Sequence, residues 1–460
     1  MRRRFGTNRL SMAADGASRH LGRRLVAMLS GAALIGTAAL IVPPAASRAD
    51  DWPQFRGPQR DGVWRETGTL KKFAGRRLKL LWSAPVGSGY SGPTVAAGRV
   101  YVTDRLVEPT QIERVLCFDA MTGKSVWKQE YECPYVDIGF TAGPRASVTI
   151  DGGRAYSLGA MGDFCCYDAA DGKLLWRRAL YREYNVEMPI WGLATAPLVE
   201  GDLVIIQAGA KSACLVAFDK ATGAERWKAL DDRASYSAPI VIEQAGRRVL
   251  VCWTGDNVVG LDPATGAVFW NYPFAPTRMV IGIASPIVSG DHLFVSSFYD
   301  GSAMLKLDPH RLAVSEGWRI LGPDEQHTLG LHAMIGTPWI SGDYLYGVDS
   351  YGELRCLRAD SGERVWESLK ATPRARWSTI HMVRQDDLMW LFNERGDLII
   401  AELSPKGYHE LSRAKLIEPT SVQLPQRGGV VWSHPAFANR HVFARNDERL
   451  VCASLAEGEN

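Results

Sequence analysis

Residues able to bind a ligand or transfer a proton are concentrated in segments that lie between predicted β-strands and are not repeated along the chain. The acids Asp137, Glu183 and Glu187 come early, whereas histidines and arginines gather in the last third of the chain. Aromatic and charged groups around a concavity are typical of a ligand site. We predict that the ligand-binding residues are Arg145, Trp191, Tyr236, His332, Arg376, Trp377, His381, Trp432 and His434.

No motif for catalysis or metal binding accompanies these residues. The nine histidines lack the H-E-x-x-H spacing of a zinc protease, and no G-x-S-x-G nucleophile motif occurs. There is also no C-x-x-C-H haem site and no pair of C-x-x-C motifs. His332, His381 and His434 could converge, but a single histidine in a loop is more typical of a hydrogen-bonded turn residue. We therefore predict no catalytic residue and no metal ligand.

A repeated element must position these segments, and its clearest copy is LVAFDKATGAERW at Leu215–Trp227. An apolar strand leads into a turn at Thr222-Gly223, and a second strand ends on Trp227, which is the pattern of a β-hairpin. A small residue followed by Gly six residues later and Trp ten residues later occurs five times. The copies start at Cys117, Cys166, Ala217, Gly260 and Cys356.

The spacing of the repeat predicts the architecture. Acids at the turn recur every 43 to 51 residues, a period typical of propellers, and helical periodicity is absent. Each unit contains four strand patterns, the content of one propeller blade. Weaker patterns add a seventh and an eighth unit, and the eighth lacks its fourth strand. We predict an all-β, eight-bladed β-propeller of four-stranded, W-shaped blades, closed by an N-terminal strand at Leu78–Trp82 that completes the last blade.

The repeated residue types predict packing and not chemistry. The recurring tryptophan is expected to wedge between adjacent blades, where an indole buries a large area. Four cysteines fill the small-residue position of the repeat and are expected to act as compact apolar groups. The neighbours Cys165 and Cys166 point to opposite faces if they lie in a strand, which favours two separate thiols over a strained disulfide.

The first 49 residues resemble an export signal. An arginine-rich start precedes an uncharged run from Leu25 to Val42, and Ser47–Ala49 offers a small-residue cleavage site. We predict that residues 1–49 are a signal peptide and that the mature protein is periplasmic or secreted. An uncleaved membrane anchor is the alternative, since the run is just long enough to span a bilayer. No cysteine follows the run closely, so no lipid anchor is expected.

The mature chain is predicted to begin with a strap. Residues 50–77 are polar, contain Gly and Pro, and carry Trp52, Phe55 and Trp64, so we expect an extended segment packed on the propeller (78–460) by its aromatics. The formal net charge of +3 comes largely from arginines near the N-terminus. The nearly neutral body argues against a nucleic-acid partner.

The A/C-x-D-x-x-T-G-x-x-x-W repeat resembles the pyrroloquinoline-quinone (PQQ) propeller repeat. Quinoprotein alcohol dehydrogenases share this repeat with the non-enzymatic propeller that helps to assemble outer-membrane barrels. The stretches WPQFRGPQRDGV and TAGPRASVTIDGGRAYSLGAMGDF are also similar to secreted, planctomycete-type repeat proteins. The resemblance covers about residues 79–460 and implies an eight-bladed ring. It does not by itself imply a bound quinone, because one fold serves many functions.

Two functions stay open at this point. By resemblance, a dehydrogenase would hold PQQ and Ca²⁺ at the channel mouth, with a tryptophan stacked on the quinone and Glu187 or Asp137 as metal ligand or base. The chain, however, is too short for the insertions with which such enzymes cover their cofactor. We therefore favour an exported, monomeric propeller that acts as a binding or interaction scaffold in the cell envelope. Its expected partner is an envelope protein or a small ligand at the mouth, and no cofactor is predicted.

Overall fold

The computed structural model describes residues 50–459 and confirms the all-β propeller. Eight antiparallel sheets of four strands each form the blades, and in each blade the strands follow one another from the channel to the periphery. The predicted signal peptide, residues 1–49, lies outside the described residues. Within residues 50–459 no helix is long and apolar enough to span a bilayer.

Blades 1 to 4 occupy the first half of the ring. Blade 1 contains β2 (Thr94–Ala96), β3 (Arg99–Leu106), β4 (Ile112–Asp119) and β5 (Ser125–Glu132). Blade 2 contains β6 (Thr149–Asp151), β7 (Arg154–Leu158), β8 (Asp163–Asp168) and β9 (Leu174–Ala179), followed by the short helix α1 (Leu180–Tyr184). Blade 3 contains β10 (Leu198–Glu200), β11 (Leu203–Ala210), β12 (Ala213–Asp219) and β13 (Glu225–Ala229). Blade 4 contains β14 (Ile240–Gln244), β15 (Arg247–Trp253), β16 (Asn257–Leu261) and β17 (Val268–Pro273).

Blades 5 to 7 continue the ring, and blade 8 combines both ends of the chain. Blade 5 contains β18 (Ile287–Ser289), β19 (His292–Ser297), β20 (Gly301–Leu307) and β21 (Val314–Ile320). Blade 6 contains β22 (Trp339–Ser341), β23 (Tyr344–Val348), β24 (Leu354–Arg358) and β25 (Arg364–Ser368). Blade 7 contains β26 (Ile380–Gln385), β27 (Leu388–Asn393), β28 (Asp397–Ser404) and β29 (Gly407–Lys415), and a 3-10 turn follows at Pro425–Arg427. Blade 8 contains β30 (Ala436–Ala438), β31 (His441–Arg445), β32 (Arg449–Ser454) and, as its outer strand, β1 (Leu80–Pro85).

The N-terminal strand closes the ring as predicted, although β1 lies slightly later than the predicted Leu78–Trp82. Its register explains the difference, because Trp82 pairs with Cys452 and the pairing continues to Pro85 opposite Arg449. The Trp82–Cys452 pair is the same small-residue and tryptophan pair that blades 1, 2, 3, 4 and 6 use. Closure removes the open edge that β32 would otherwise expose.

In the repeat, the small residue lies directly opposite the tryptophan on the next strand. Ala217 pairs with Trp227, and Cys117 pairs with Trp127. At Gly260 a Cβ atom would overlap the indole of Trp270. In these blades a side chain larger than Ala, Cys or Gly would crowd the indole. Blade 5 differs, because Met304 lies opposite Trp318, whose Nε1 still donates to the carbonyl of Ala359 at 2.8 Å.

Each of these tryptophans is seated against the following blade. The Nε1 of Trp127 donates to the carbonyl of Ala169 at 3.0 Å, and the Nε1 of Trp227 donates to the carbonyl of Pro263 at 3.1 Å. In both cases the acceptor is the residue that follows the turn acid of the next blade. The predicted wedge between blades is confirmed, and the indole adds a specific hydrogen bond to the burial of its rings.

The turn acid holds the turn in which the neighbouring tryptophan is seated. The Oδ1 of Asp219 accepts hydrogen bonds from the backbone N–H of Ala221 and from both the N–H and the hydroxyl of Thr222. These bonds, that from the Thr222 backbone first, lower the pKa of Asp219. The D-x-x-T-G part of the repeat is thus a side-chain-stabilised turn.

All eight cysteines are buried and free, including the four that the repeat predicted to be compact packing groups. Cys165 faces the core between blades 1 and 2, whereas Cys166 packs in the core shared with blade 3. The two sulfurs therefore point to opposite faces of β8, as alternation along a strand requires. Burial raises the pKa of both thiols to about 12, so neither is a ready nucleophile.

The N-terminal strap crosses the end of the channel where the inner and second strands of each blade connect. Trp52 bridges to Val95 in blade 1, and Trp64 is held by the carbonyl of Arg384 in blade 7. Both tryptophans are about 1% exposed and belong to the same apolar core as blades 7, 8 and 1. The Glu66 carboxylate accepts the N–H groups of Asn439 and Arg440 in blade 8. The strap therefore ties the seam of the ring together.

A pair of glycine substitutions tests whether tryptophan seating holds the blades together. Gly223 and Gly246 both have φ of 71°, but a Cβ on Gly223 would lie 2.7 Å from the Trp176 ring, whereas a Cβ on Gly246 would meet nothing within 4 Å. Gly246→Ala should lower the free energy of unfolding by about 1–2 kcal/mol, from backbone strain alone. Gly223→Ala should lower the free energy of unfolding by about 1–3 kcal/mol more, because its methyl group would also overpack against the Trp176 ring. Urea denaturation followed by tryptophan fluorescence measures both, and equal losses would contradict the proposed seat.

Candidate functional site

One residue of each blade forms a ring around the channel. We call the segment between the outer strand of one blade and the inner strand of the next a mouth loop. In seven blades the ring residue lies four positions before the first residue of the inner strand, and in blade 7 it lies three positions before it. The ring consists of Tyr90, Arg145, Ala194, Tyr236, Ile283, Ile335, Trp377 and Trp432.

This ring encloses a cavity of about 160 Å³ on the channel axis. Phe140, Trp191 and Met334 extend the wall from neighbouring parts of the mouth loops. On the other side, Phe55 of the strap also lines the cavity and meets the ring of His434 edge-on at 4.9 Å between ring centres. The strap thus provides a floor, and the channel is a pocket with an aromatic wall.

Seven of the nine predicted ligand-binding residues line this cavity. Five mouth loops supply six of them and the inner strand β26 supplies His381, so no continuous stretch of sequence contains the site. The seven residues are Arg145, Trp191, Tyr236, Trp377, His381, Trp432 and His434.

The structure places Arg376 outside the cavity. Trp377 has a φ of 64°, and blade 7 presents this tryptophan to the channel one position later than the other blades do. The Arg376 guanidinium donates instead to both carboxylate oxygens of Glu325, at 2.7 and 3.0 Å, and to the Tyr299 hydroxyl. Arg376 therefore fastens two mouth loops to each other.

His332 is also outside the cavity, because both of its ring nitrogens are used within blades 5 and 6. Its Nδ1 lies 3.0 Å from the Phe298 carbonyl, and its Nε2 accepts the N–H of Gly322 at 3.2 Å. The side chain is about 1% exposed, and burial lowers its pKa. His332 is a neutral structural residue, the alternative that its sequence context had favoured.

Phe140 covers the mouth of the cavity. It meets Trp191, Trp377 and Trp432 with ring centres 5.8 to 5.9 Å apart, so one side chain touches blades 3, 7 and 8. Its φ of 54° is costly for a residue with a Cβ, by about 1–2 kcal/mol. The loop is held in this shape by Arg145, which donates to the carbonyls of Gly139, Phe140 and Gly143.

His381 and His434 form the polar corner of the cavity, with ring centres 6.0 Å apart. The Nε2 of His381 lies 2.7 Å from the Trp432 carbonyl, and the Nε2 of His434 lies 2.7 Å from the Ser147 hydroxyl. Burial lowers the pKa of His381 to about 4 and that of His434 to about 3. Both imidazoles are therefore neutral at pH 7, and such low pKa values make poor general bases.

The cavity does not fit a calcium-bound quinone. No Asp or Glu lines it, and Asp137 and Glu187, the acids that the resemblance suggested, are exposed on the mouth loops. Among residues 50–459 no group of three or more His, Cys, Asp or Glu side chains is close enough to hold a metal ion. Hard oxygen ligands and a carboxylate base are what the dehydrogenase reaction requires. We therefore derive no catalytic step through such a cofactor.

Four important lining residues were not among those predicted from the sequence. Tyr90 and Ile335 occupy the ring position of their blades, and their distance before the inner strand is a signal that the sequence does contain. Phe140 and Phe55 come from a mouth loop and from the strap. Their positions follow from the three-dimensional path of irregular segments, for which the repeat gives no register.

Comparison with known proteins relates the chain to one family. The family model described as Outer membrane protein assembly factor BamB matches residues 111–368, more than half of the chain. The outer membrane protein assembly factor BamB of Burkholderia pseudomallei is 24% identical over 391 residues, which cover 83% of this chain and 81% of that protein. The chain therefore spans most of the length of this relative.

Solved structures show the same fold at lower sequence identity. BamB from Moraxella catarrhalis is 16% identical and superposes with a TM-score of 0.53, covering 82% of this chain and 99% of that one. Quinohemoprotein alcohol dehydrogenase from Comamonas testosteroni is 14% identical and superposes with a TM-score of 0.61, covering 89% of this chain and 81% of that one. At these identities the likeness concerns the fold alone.

The buried histidines predict acid sensitivity. Their folded-state pKa values lie below the unfolded value of about 6.5, so the stability that they contribute is present above pH 6.5 and is lost as the pH falls towards 4. Between pH 7 and pH 5, the melting temperature of the double variant His381→Gln/His434→Gln should fall less than that of the wild type. Each substitution should reduce the slope of the free energy of unfolding against pH by at most about 1.4 kcal/mol per pH unit.

The exposed His310 provides the control for this experiment. His310→Gln should follow the wild-type dependence of melting temperature on pH. If the cavity variant follows it as well, the two imidazoles do not control the acid response.

Proposed function

Because this chain belongs to the family of outer membrane protein assembly factor BamB, we propose that it is an interaction scaffold of the cell envelope that serves the assembly of outer-membrane proteins. This agrees with the scaffold function favoured by the sequence. The match to the Burkholderia assembly factor, which extends over four-fifths of both chains, supports the same class of function.

The observation that carries the proposal is the composition of the channel. In quinoprotein propellers the channel mouth would have to supply metal ligands and a base, but here aromatic side chains, two neutral histidines and one arginine are the prominent lining groups. The strap closes one end, and Phe140 lies across the other. The fold is thus kept while the groups needed for dehydrogenation are missing from the described cavity, which favours binding over catalysis.

The mouth loops offer the surface on which a protein partner would dock. Four of them each carry a large apolar side chain that is about half exposed: Val136, Ile190, Leu329 and Val422 are 56%, 44%, 52% and 57% exposed. The first two loops are fastened together, because the N–H of Gly139 donates to the Ile190 carbonyl at 2.6 Å. Apolar groups on rigid loops are typical of binding surfaces. We infer that an envelope protein binds at this face.

Charge introduced at the mouth should abolish this function without unfolding the protein. In a host strain that lacks the gene, wild-type protein should restore the level of folded outer-membrane barrels, measured by heat-modifiable mobility in gels. Val136→Glu/Val422→Glu should fail to restore it, because a carboxylate in a protein interface loses its hydration. The amount and the melting temperature of the variant should equal those of the wild type.

Val268→Glu is the matched control, since Val268 is 48% exposed but lies on the outer strand β17. It should restore barrel assembly fully. Restoration by the mouth variant as well would exclude the mouth face as the docking surface. Normal barrel levels in the strain without the gene would refute the assembly function itself.

The dehydrogenase alternative has a direct test. Purified protein supplied with PQQ and Ca²⁺ should not reduce an artificial electron acceptor in the presence of an alcohol or a sugar, because the cavity offers no carboxylate for the metal or for proton abstraction. Dye reduction above a boiled control would overturn the scaffold proposal in favour of an enzyme.

A further inference from the structure

We propose that one sector of the outer rim binds the surface of an anionic lipid bilayer. The rim sector comprises the start of the outer strands β1, β5 and β9 in the consecutive blades 8, 1 and 2, together with the segments that lead into them. This binding is independent of the proposed assembly function, because it concerns the periphery of the ring and not the mouth loops. Exposed aliphatic side chains, lysines outside ion pairs and the different residues of the other blades support it.

The rim sector exposes five large apolar side chains. Three of them directly precede the wedged tryptophan of their strand, and these are Leu81, Val126 and Leu175. Met121 lies in the turn before β5, and Leu174 begins β9. All five are between 42% and 61% exposed. Exposed apolar side chains that lie close together mark a site that binds another surface, because their burial is favourable.

A lysine lies two positions before each aliphatic residue that precedes a tryptophan. Lys79, Lys124 and Lys173 are exposed, and none of their ammonium groups forms an ion pair or a hydrogen bond within residues 50–459. The acids of the adjoining turns accept backbone N–H groups of their own turns, and these acids are Asp119, Asp168 and Asp171. Since a lysine stem is long and flexible, each ammonium group can extend away from these acids to an anionic surface.

The contacts between blades place these groups side by side along the rim. Trp82 packs against Gly123 of blade 1, and a Cβ on this glycine would lie 2.6 Å from the indole. Trp127 packs in the same way against Gly172 of blade 2. Each tryptophan directly follows the aliphatic residue of its own blade, and each glycine directly precedes the lysine of the next. Aliphatic residues and lysines therefore alternate from β1 across β5 to β9.

The rim sector lies at the end of the ring that carries the strap. Antiparallel strands reverse direction at each connection, so the turn before the outer strand is at the same end as the connection between the inner and second strands. The strap adds the exposed lysines Lys71 and Lys72 at this end, directly after Leu70, whose N–H donates to a carbonyl of blade 8. A bilayer at the rim sector would leave the mouth loops, at the opposite end, free for a protein partner.

The same two positions differ in the other blades that carry the tryptophan. The pairs there are Ala224 and Arg226 in blade 3, Ala267 and Phe269 in blade 4, Ser315 and Gly317 in blade 5, and Glu363 and Val365 in blade 6. In blade 3, moreover, Arg226 forms an ion pair with Asp219. Because these blades seat their tryptophans without the lysine and aliphatic pair, the pair is not a requirement of the fold.

Lysine beside an aliphatic side chain suits the boundary between lipid headgroups and acyl chains. There the aliphatic group enters the acyl region, while the lysine stem extends along it and holds the ammonium group at the anionic headgroups. In protein–protein interfaces lysine is depleted, because a buried ammonium group loses its hydration. The rim sector therefore favours a bilayer over a protein, and each lysine should add to the affinity for anionic lipid.

Co-sedimentation of the mature chain with lipid vesicles tests the proposal without any substitution. Vesicles of phosphatidylethanolamine and phosphatidylglycerol should bind the chain at least about tenfold more tightly than vesicles of phosphatidylethanolamine and phosphatidylcholine, because only the former attract the lysines. Added salt should weaken this binding, since it screens exposed charges. Equal affinities, or no sedimentation with either vesicle, would overturn the proposal and leave the rim sector to a protein partner.

Two lysine variants then locate the charge. Lys124→Gln/Lys173→Gln should weaken binding to the anionic vesicles by about tenfold or more. Lys211→Gln/Lys370→Gln is the matched control, because it removes the same charge from exposed lysines at the mouth end, between β11 and β12 and on a mouth loop. The control should bind as the wild type does. Equal weakening by the two variants would show that only net charge matters and would refute the rim sector.

A pair of valine substitutions tests the apolar part of the contact. Val126 and Val365 both precede the tryptophan of their strand and are 43% and 41% exposed, but only Val126 belongs to the rim sector. Val126→Asp should weaken vesicle binding at least about fivefold, because a carboxylate neither enters the acyl region nor approaches anionic headgroups. Val365→Asp should bind as the wild type does. Both variants should keep the wild-type melting temperature, and equal binding by the two would contradict insertion of Val126.

A fluorescent label locates the bilayer directly. All eight native cysteines are buried, so a cysteine introduced at an exposed position can be labelled selectively with an environment-sensitive dye. The emission of a label on Val126→Cys should shift to shorter wavelength when anionic vesicles are added, because the dye enters an apolar environment. A label on Val365→Cys should not shift. Vesicle binding that leaves the Val126→Cys emission unchanged would place the bilayer elsewhere and overturn the proposal.

Discussion

The fold depends on the contact between the tryptophan of one blade and the glycine turn of the next. The indole of Trp176 lies where a side chain on Gly223 would be, and its N–H donates to the carbonyl of Lys220 in the same turn. The contact combines a large buried area with a directed hydrogen bond, so it fixes both the distance and the rotation between neighbouring blades. The same contact recurs at Trp82, Trp127, Trp227 and Trp318, so most neighbouring blades of the ring are related by the same step.

The ring also needs closure, and the two ends of the chain provide it together. The strand β1 supplies the missing outer strand of blade 8, and its Trp82 donates to the carbonyl of Ala120 in blade 1. The strap before β1 then crosses the channel with Trp52 and Trp64 buried. The same N-terminal segment therefore closes the ring and covers one end of the channel. The cavity exists because this segment is folded beneath it.

The positions that the repeat leaves free line the channel. The repeated Asp, Gly and Trp lie towards the outer part of each blade and are used in packing. At the other edge of the blade, the residue ahead of each inner strand faces the channel and changes from blade to blade. Because these residues carry no structural contact of the repeat, they are free to differ. Here they combine aromatic and aliphatic side chains with one arginine, Arg145, whereas a dehydrogenase would need carboxylates and a metal at the same place.

The sequence by itself determined the number of blades, the closing strand and the packing role of the Trp, Gly and Cys positions. Each of these depends on local periodicity, which is visible along the chain. It also indicated seven residues of the cavity. Only the tertiary structure decided that Trp377 replaces Arg376 at the channel, because a left-handed residue shifts the register by one position. The contributions of Phe55 and Phe140 likewise required the folded chain, since contacts between irregular segments far apart in sequence follow no period.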